Sequence, residues 1–349
     1  MLSFAPAVQR LRSRLGRALP DIAAVAEIDE AEPGGRFEVP AALALPGIYD
    51  RVRRTEFADR DSALRHLRGG YAVDEAPTRV LRLRDVDLVD GTLYCAGAAR
   101  PLRRMAGRRP AYRRPVEHSG AVLAESWVGN SYFGNWLADD CVTALLAETR
   151  ALPHVTTRSP AGHVAEYERR MGLNPARVTE AHFCRLEVID DLGANPSQRA
   201  RARAQRARLL RGADPAPHPG VFLLRGRSGH VRELEGELAL AEMLAARRGI
   251  TVIDPQREDA ATLIDACAGA RVAVGVEGSQ MVHALVAMGP GTAFLALQPP
   301  DRVVAGMKLM TDRRDQHYAL LVGDGPPEAF RIDPDELLAS FDLAAEAAA

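Results

Sequence analysis

Val272-Ala273-Val274-Gly275-Val276-Glu277-Gly278-Ser279-Gln280-Met281-Val282-His283 is the stretch from which the fold of this chain is read. Val272, Val274 and Val276 form a β-branched run that predicts a strand buried on both faces, as in a parallel sheet. The run ends in polar, glycine-bearing residues and passes into a helix, Met281 to Met288, stopped by Gly289-Pro290-Gly291. Thr292 to Leu297 then predicts the next buried strand, halted at Pro299-Pro300. The whole is a βαβ unit whose first turn carries Glu277, Gly278 and Ser279. Open α/β sheets bind ligands beyond the carboxyl ends of their strands, and a helix entrance there offers N–H groups to an anion. Ser279 acting as an ordinary N-cap is the other reading of the same turn.

Upstream, Val221 to Leu224 and Ile250 to Ile253 predict two further buried strands, alternating with helices over 233–248 and 259–269. This β-loop-α alternation is the pattern of a doubly wound sheet. Arg225, Arg227 and Arg232 follow the first of these strands, and guanidinium forks suit phosphate oxygens. Gly212 to Gly220, rich in Pro and Gly, predicts a linker.

Before the linker, residues 79–89 alternate apolar and charged side chains, and Asp90-Gly91 predicts a hairpin turn into Thr92 to Cys95. From Phe133 the spacing predicts a helix with Phe133, Trp136, Leu137, Cys141 and Ala144 on one stripe. Asp140 falls near the middle of that apolar face and Asp139 towards its edge. A carboxylate facing a core needs a partner, or desolvation raises its pKa. A structural cap and a general base are both open roles for it. His154 to Thr157 and Phe183 to Ile189 predict further strands, and an Arg/Ala-rich helix runs from Ser197 to Leu210.

With 349 residues, 47% hydrophobic and 26% charged, the chain has the make-up of a globular protein of two domains. A net charge of −1 gives no reason to expect a nucleic-acid partner. Lys308 is the single lysine among the basic residues, a bias that fits a GC-rich genome. Arg103, Arg104, Arg108, Arg109, Arg113 and Arg114 form a basic cluster read as a solvated loop, or as a contact for an anionic acceptor or lipid. Cys95, Cys141, Cys184 and Cys267 show no CxxC and no histidine at zinc spacing, so no metal site is expected; Cys184 and Cys267 are read as core residues. A reducing, cytoplasmic setting follows, with no membrane span and no signal peptide. The basic N-terminus over residues 8–19 is read chiefly as a solvated helix, with peripheral membrane contact as the second reading. GxGxxG, Walker A, GxSxG and HExxH are all absent.

Over residues 80–300 the pattern resembles glycosyltransferase family 61. The resemblance is carried by the hairpin, by Ser131-Tyr-Phe-Gly-Asn-Trp-Leu-Ala-Asp-Asp140, by Arg225 with Arg232, and most by Val274-Gly-Val-Glu-Gly-Ser279 through Gly289-Pro-Gly-Thr292. It implies an α/β chain of GT-B-like architecture, two Rossmann-like domains facing a cleft, with an N-terminal β-rich extension. The expected partition is an extension over 1–115, an acceptor-side domain over 116–211, a linker over 212–220, a nucleotide-sugar domain over 221–335 and a terminal helix over 336–349. The implied activity is inverting sugar transfer from a nucleotide sugar, UDP- or GDP-linked, to a glycan acceptor without a bound metal or other cofactor, in polysaccharide assembly. Asp140, or else Asp139, takes the base role; Arg225, Arg227, Arg232, Glu277, Gly278, Ser279 and His283 take the donor; Asn135 and Trp136 lie on the acceptor side. Asn135 stands where the family usually has His. This departure keeps a non-catalytic nucleotide-sugar or glycan-binding protein as the alternative, and a homodimer is left open.

Overall fold

The computed structural model describes residues 2–17, 19–104, 109–191, 193–226 and 229–348. The chain forms two compact units, one of residues 1–35 with 75–201 and one of residues 36–74 with 202–349. This partition differs from the sequence expectation. The region before residue 116 is divided between the two units: Glu27–Glu32, Thr78–Val89, Thr92–Cys95 and Ala98–Pro101 join the sheet of the first, while residues 36–74 meet the second through isolated bridges such as Leu43 to Ala319 and Thr55 to Val303.

The first unit is built on a nine-stranded mixed sheet. Its strands are β1 (Glu27–Glu32), β2 (Thr78–Val89), β3 (Thr92–Cys95), β4 (Ala98–Pro101), β5 (Glu117–His118), β6 (Ala121–Leu123), β7 (His154–Thr156), β8 (Ala176–Arg177) and β9 (Ala181–Asp190). They lie in the order β8-β7-β6-β9-β2-β3-β4, with β1 also on β2 and β5 also on β9. The first four of that order are parallel to one another, and β9 pairs antiparallel with β2 from Ala181↔Leu88 to Asp190↔Arg79. The β2–β3 hairpin turns at Asp90 and Gly91, both with positive φ (49° and 71°), as a two-residue turn matched to strand twist requires. Leu81, Leu83, Val86, Leu88, Leu123, Phe183, Leu186 and Val188 form the core against the sheet. Chain order across the parallel part runs third, second, first, fourth, so the direction of winding reverses between β6 and β9.

The second unit carries a five-stranded sheet of β10 (His218–Leu223), β11 (Thr251–Ile253), β12 (Ala270–Val276), β13 (Ala293–Gln298) and β14 (His317–Val322). All pairs are parallel, in the order β11-β10-β12-β13-β14. Val272, Val274, Leu295 and Leu297 are fully buried, as two-sided coverage by helices demands. The helices Glu237–Arg248, Ala260–Ala268 and Pro334–Ala347 fall where the sequence places them. The expected linker is strand from His218 onward, because Gly220, Val221 and Phe222 pair with Val272, Ala273 and Val274. The expected helix after Ser279 opens as a 3₁₀ turn, Ser279–Met281, and continues as a six-residue helix, Val282–Ala287. Winding reverses between β10 and β12. Among the described residues no helix is long and apolar enough to cross a membrane.

Candidate active site

The carboxyl ends of β10, β12 and β13 bring three guanidiniums together. Arg225 follows β10, Arg232 closes the loop after it, and Arg302 follows β13. Arg225 is 4% exposed and Arg232 8%. Arg225 donates from Nη1 to Gln280 Oε1 (3.1 Å) and from Nη2 to the His230 carbonyl (2.8 Å), which ties the loop after β10 to the loop after β12. Glu237 accepts the backbone N–H groups of Arg225 (2.8 Å) and Gly226 (2.9 Å) and so fixes the exit of β10. Arg232 forms a buried ion pair with Glu277. Gly278 is dictated by crowding: a Cβ there would sit 1.9 Å from Arg225 Nη1.

Glu277, Glu237 and Glu56 face these three guanidiniums, and desolvation is the largest influence on the buried pair Arg225 and Arg232. Burial, and then the Arg232 charge, pull Arg225 down to about 10, with Glu277 opposing. Arg232 is lowered in the same way, by burial first, with Arg302 adding repulsion. Among the described residues, Arg232 Nε and Arg302 Nη1 are buried donors with no hydrogen-bond acceptor. Buried N–H groups in this state match the chemistry of an incoming anion. The position, at the reversal of winding between β10 and β12, is where open α/β sheets place ligands.

The structure therefore gathers Arg225, Arg232, Glu277 and Gly278 at one place, with Ser279 half-buried in the adjoining 3₁₀ turn. His283 is 3% exposed, within the short helix Val282–Ala287. Arg227 lies outside the described residues, as does Arg108 of the basic cluster. Arg302 was not anticipated; it follows Pro299-Pro300, where the strand signal stops, and only the register of β13 beside β12 brings it to the cluster. Gln298 at the end of β13 holds that loop by accepting Val304 N–H (2.7 Å) and donating to the Val304 carbonyl (3.0 Å).

In the first unit, the helix over 133–147 begins as Phe133–Asn135, passes through a π turn at Trp136–Asp140 and resumes as Cys141–Ala147. The Cys141 N–H reaches five residues back to the Trp136 carbonyl. Such turns recur at functional sites. Asp140 is buried, accepting from Ser126 Oγ (2.8 Å) and the Ser126 N–H (3.2 Å). Burial drives its pKa well above the carboxylate range, with Glu125 and Asp139 adding repulsion. Gly129 packs so closely that a Cβ would lie 1.9 Å from Asp140 Oδ2. Asp140 thus braces the turn that Ser126 caps, after β6. Asp139 is half-buried and accepts from Asn135 Nδ2 at 3.0 Å. Trp136 stacks on Phe133 at 5.6 Å and carries the Arg158 guanidinium 4.8 Å above its ring.

Glu125, also unanticipated, sits just beyond β6 and accepts from Thr157 N–H (2.6 Å), Thr157 Oγ1 (2.7 Å) and Thr156 Oγ1 at the end of β7. Its signal was the strand-end rule already applied to Arg225. Glu125, Trp136, Asp140, His154 and Glu168 line a cavity with room for about one water, ≈ 20 Å³. The rest of the basic cluster is partly neutralised: Arg103 donates to the Thr157 carbonyl (3.0 Å), and Arg109 pairs with Asp90 (3.0 Å) and Glu180.

No curated protein matches the chain. Residues 133–295 match the family model described as Glycosyltransferase 61. The matched span opens on the helix bearing Asp139 and Asp140, contains Arg225, Arg232 and Glu277, and ends in β13. Over this span the chain is similar to glycosyltransferase family 61.

Proposed function

We propose that this glycosyltransferase transfers a sugar from a nucleoside-diphosphate donor to a glycan hydroxyl with inversion, in the cytoplasm, as a step of polysaccharide assembly. The observation that carries this reading is the convergence of Arg225, Arg232 and Arg302 at the reversal of winding in the second sheet, with buried N–H groups of Arg232 and Arg302 that lack an acceptor among the described residues. In the transfer, the acceptor oxygen forms a bond to the anomeric carbon as the bond to the diphosphate breaks. The leaving group departs with two negative charges, and fixed guanidiniums lower that barrier without reorganising. Arg225 acts as the clamp between the two loops, while Arg232 and Arg302 present N–H groups to the phosphates. The 3₁₀ turn and short helix after Gly278 give little macrodipole, so side-chain charge does most of this work. Glu277 limits repulsion among the three cations and is placed to accept hydrogen bonds from donor hydroxyls. Supplied with this charge, the reaction needs no divalent ion at the diphosphate.

The acceptor proton goes to a carboxylate. Asp139, half-buried and held by Asn135, suits that role better than Asp140, whose carboxyl is engaged by the Ser126 hydroxyl and N–H. Thermal-shift titration with UDP, GDP, CDP and dTDP tests the donor site: one diphosphate should raise Tm in the wild type and do so far less in Arg232→Ala and Arg302→Ala. Equal shifts in all three proteins would refute it. The burial of Asp140 and the Asn135 substitution favour one other reading, a sugar-nucleotide-binding protein without turnover. Release of nucleoside diphosphate in the presence of acceptor, lost in Asp139→Asn, separates the two.

The N-terminal helix Ala5–Arg14 supports a membrane-surface acceptor. Phe4, Val8, Leu11 and Leu15 are 57%, 45%, 61% and 68% exposed on one stripe. Arg12 and Arg14 flank it at roughly 80° to either side. An outward apolar stripe between cations is the pattern of a helix lying in an anionic interface. Co-sedimentation with vesicles containing phosphatidylserine, abolished by Leu11→Asp with Leu15→Asp, is the expected result. Equal binding to neutral vesicles, or none, would refute it.

A further inference from the structure

His182 and Cys184 occupy alternate positions at the start of β9 and therefore project from one face of the sheet. In register, His182 faces Glu117 of β5 on one side and Asp87 of β2 on the other. Phe183↔Val86 and Arg185↔Arg84 set Cys184 opposite Asp85, so these side chains share that face. The donor atoms of Glu117, His182 and Cys184 lie within 4.8 Å of one another.

The imidazole is oriented for coordination. His182 is 1% exposed, and its Nδ1 lies 2.7 Å from Asp87 Oδ1. Asp87 in turn accepts from Tyr112 Oη at 2.7 Å. A carboxylate acceptor holds the proton on Nδ1 and leaves the Nε2 lone pair to face the cluster. This carboxylate–histidine arrangement is the outer shell that metal-binding histidines use. Nε2 points towards Asp85 Oδ1, 3.6 Å away. Asp85 holds φ at 52°, a left-handed conformation that a strand interior does not ask of a non-glycine residue.

We propose that Glu117, His182 and Cys184, with Asp85 as fourth donor, form a structural zinc site. The mixture of imidazole, thiolate and carboxylate suits Zn²⁺ and disfavours Mg²⁺ or Ca²⁺. Tetrahedral bonds to such donors place ligand atoms about 3.6 Å apart. Closing the cluster to that spacing needs shifts of about 1 Å, and Glu117 and Asp85 are exposed and able to make them. Binding displaces the Cys184 thiol proton to solvent and forms the metal–thiolate bond. The site cross-links β2, β5 and β9 at the amino end of β9. Glu125 and Ser126 lie at the carboxyl end of the adjacent parallel strand β6, so the metal stands at the opposite end of the sheet and takes no part in transfer.

The test is titration of the full-length, chelator-stripped protein with Co²⁺ followed by Zn²⁺. One equivalent of Co²⁺ should give a thiolate-to-metal charge-transfer band with tetrahedral visible bands, and Zn²⁺ should displace it. Cys184→Ser should lose the charge-transfer band, and Asp87→Asn should keep it while binding Zn²⁺ about 10–100-fold more weakly. Circular dichroism confirms that both variants are folded. No band at stoichiometric Co²⁺, or a band unchanged in Cys184→Ser, would overturn the proposal.

Discussion

Replacing Glu277 by Gln should weaken the fold and strengthen anion binding at once. Glu277 and Arg232 are 7% and 8% exposed, so their ion pair is desolvated on both sides. Gln fills nearly the same volume, leaving loss of charge as the main change. Removing one partner of a buried pair costs about 3–5 kcal/mol, since the other charge stays buried and unmatched. Here Arg225 and Arg302 add their repulsion to that of Arg232. In a domain of this size the loss lowers Tm on the order of 10 °C. The sign reverses for a bound anion. A carboxylate roughly 5 Å from a phosphate opposes it by about 3 kcal/mol per charge at an effective dielectric of 20, before salt screening. Inorganic pyrophosphate is the probe, because it lacks the hydroxyls that Glu277 would otherwise recognise. Differential scanning fluorimetry at low salt should show a lower starting Tm in Glu277→Gln and a larger rise on adding pyrophosphate than in wild type. An unchanged starting Tm, or a rise no larger than wild type, would refute the electrostatic account of this cluster.

Gly129→Ala should destabilise by about 1–3 kcal/mol through its clash with Asp140, and Asp140→Ala should relieve much of that in a double-mutant cycle read by urea unfolding. His66 titrates at about 4, lowered by burial and then by the Lys308 and Arg313 charges; the nearby Asp312 is already engaged by Lys308 at 2.7 Å. The unfolded chain takes up this proton below about 6.5 and the folded chain only below about 4, so stability should fall as pH drops through that window, by up to about 3 kcal/mol. His66→Gln should flatten the curve, and identical pH profiles would discount the effect. Asp312→Ala leaves the fully buried Lys308 unmatched and should cost about 3–5 kcal/mol, recovered in part by adding Lys308→Met.

Four of the five strands of the second sheet were legible in the sequence because each is a short apolar run closed by Gly, Pro or charge; the edge strand His317–Val322 was not among them. Val272 to Val276 and Ala293 to Leu297 needed no long-range information. Arg225, Arg232 and Glu277 were visible as strand-end residues for the same reason. Arg302 was not, since only lateral strand order decides which strand ends are neighbours. The split of residues 36–74 from their flanks was equally hidden. Its cause is non-local pairing, such as Leu43 N–H on the Tyr318 carbonyl at 2.7 Å. Cys184 was expected in the core but is half-exposed, because β9 alternates faces there and Phe183 is the residue that points inward. The same alternation aligns His182 with Cys184, a spacing of two that a search for loop-type zinc motifs passes over. Asp140 lies buried, as its place on the apolar face predicts, while its contact with Ser126 depends on tertiary packing that helical spacing does not encode.

The π turn at Trp136–Asp140 stores one residue more than an α-helix of equal rise would hold. Straightening the segment into regular α-helix with every residue kept would rotate Phe133–Asn135 by about 100° against Cys141–Ala147. Trp136 could no longer lie beneath Arg158 while Cys141 and Ala144 kept their burial. The widened turn, quite apart from the identity of its residues, therefore keeps the faces of the two flanking segments in phase.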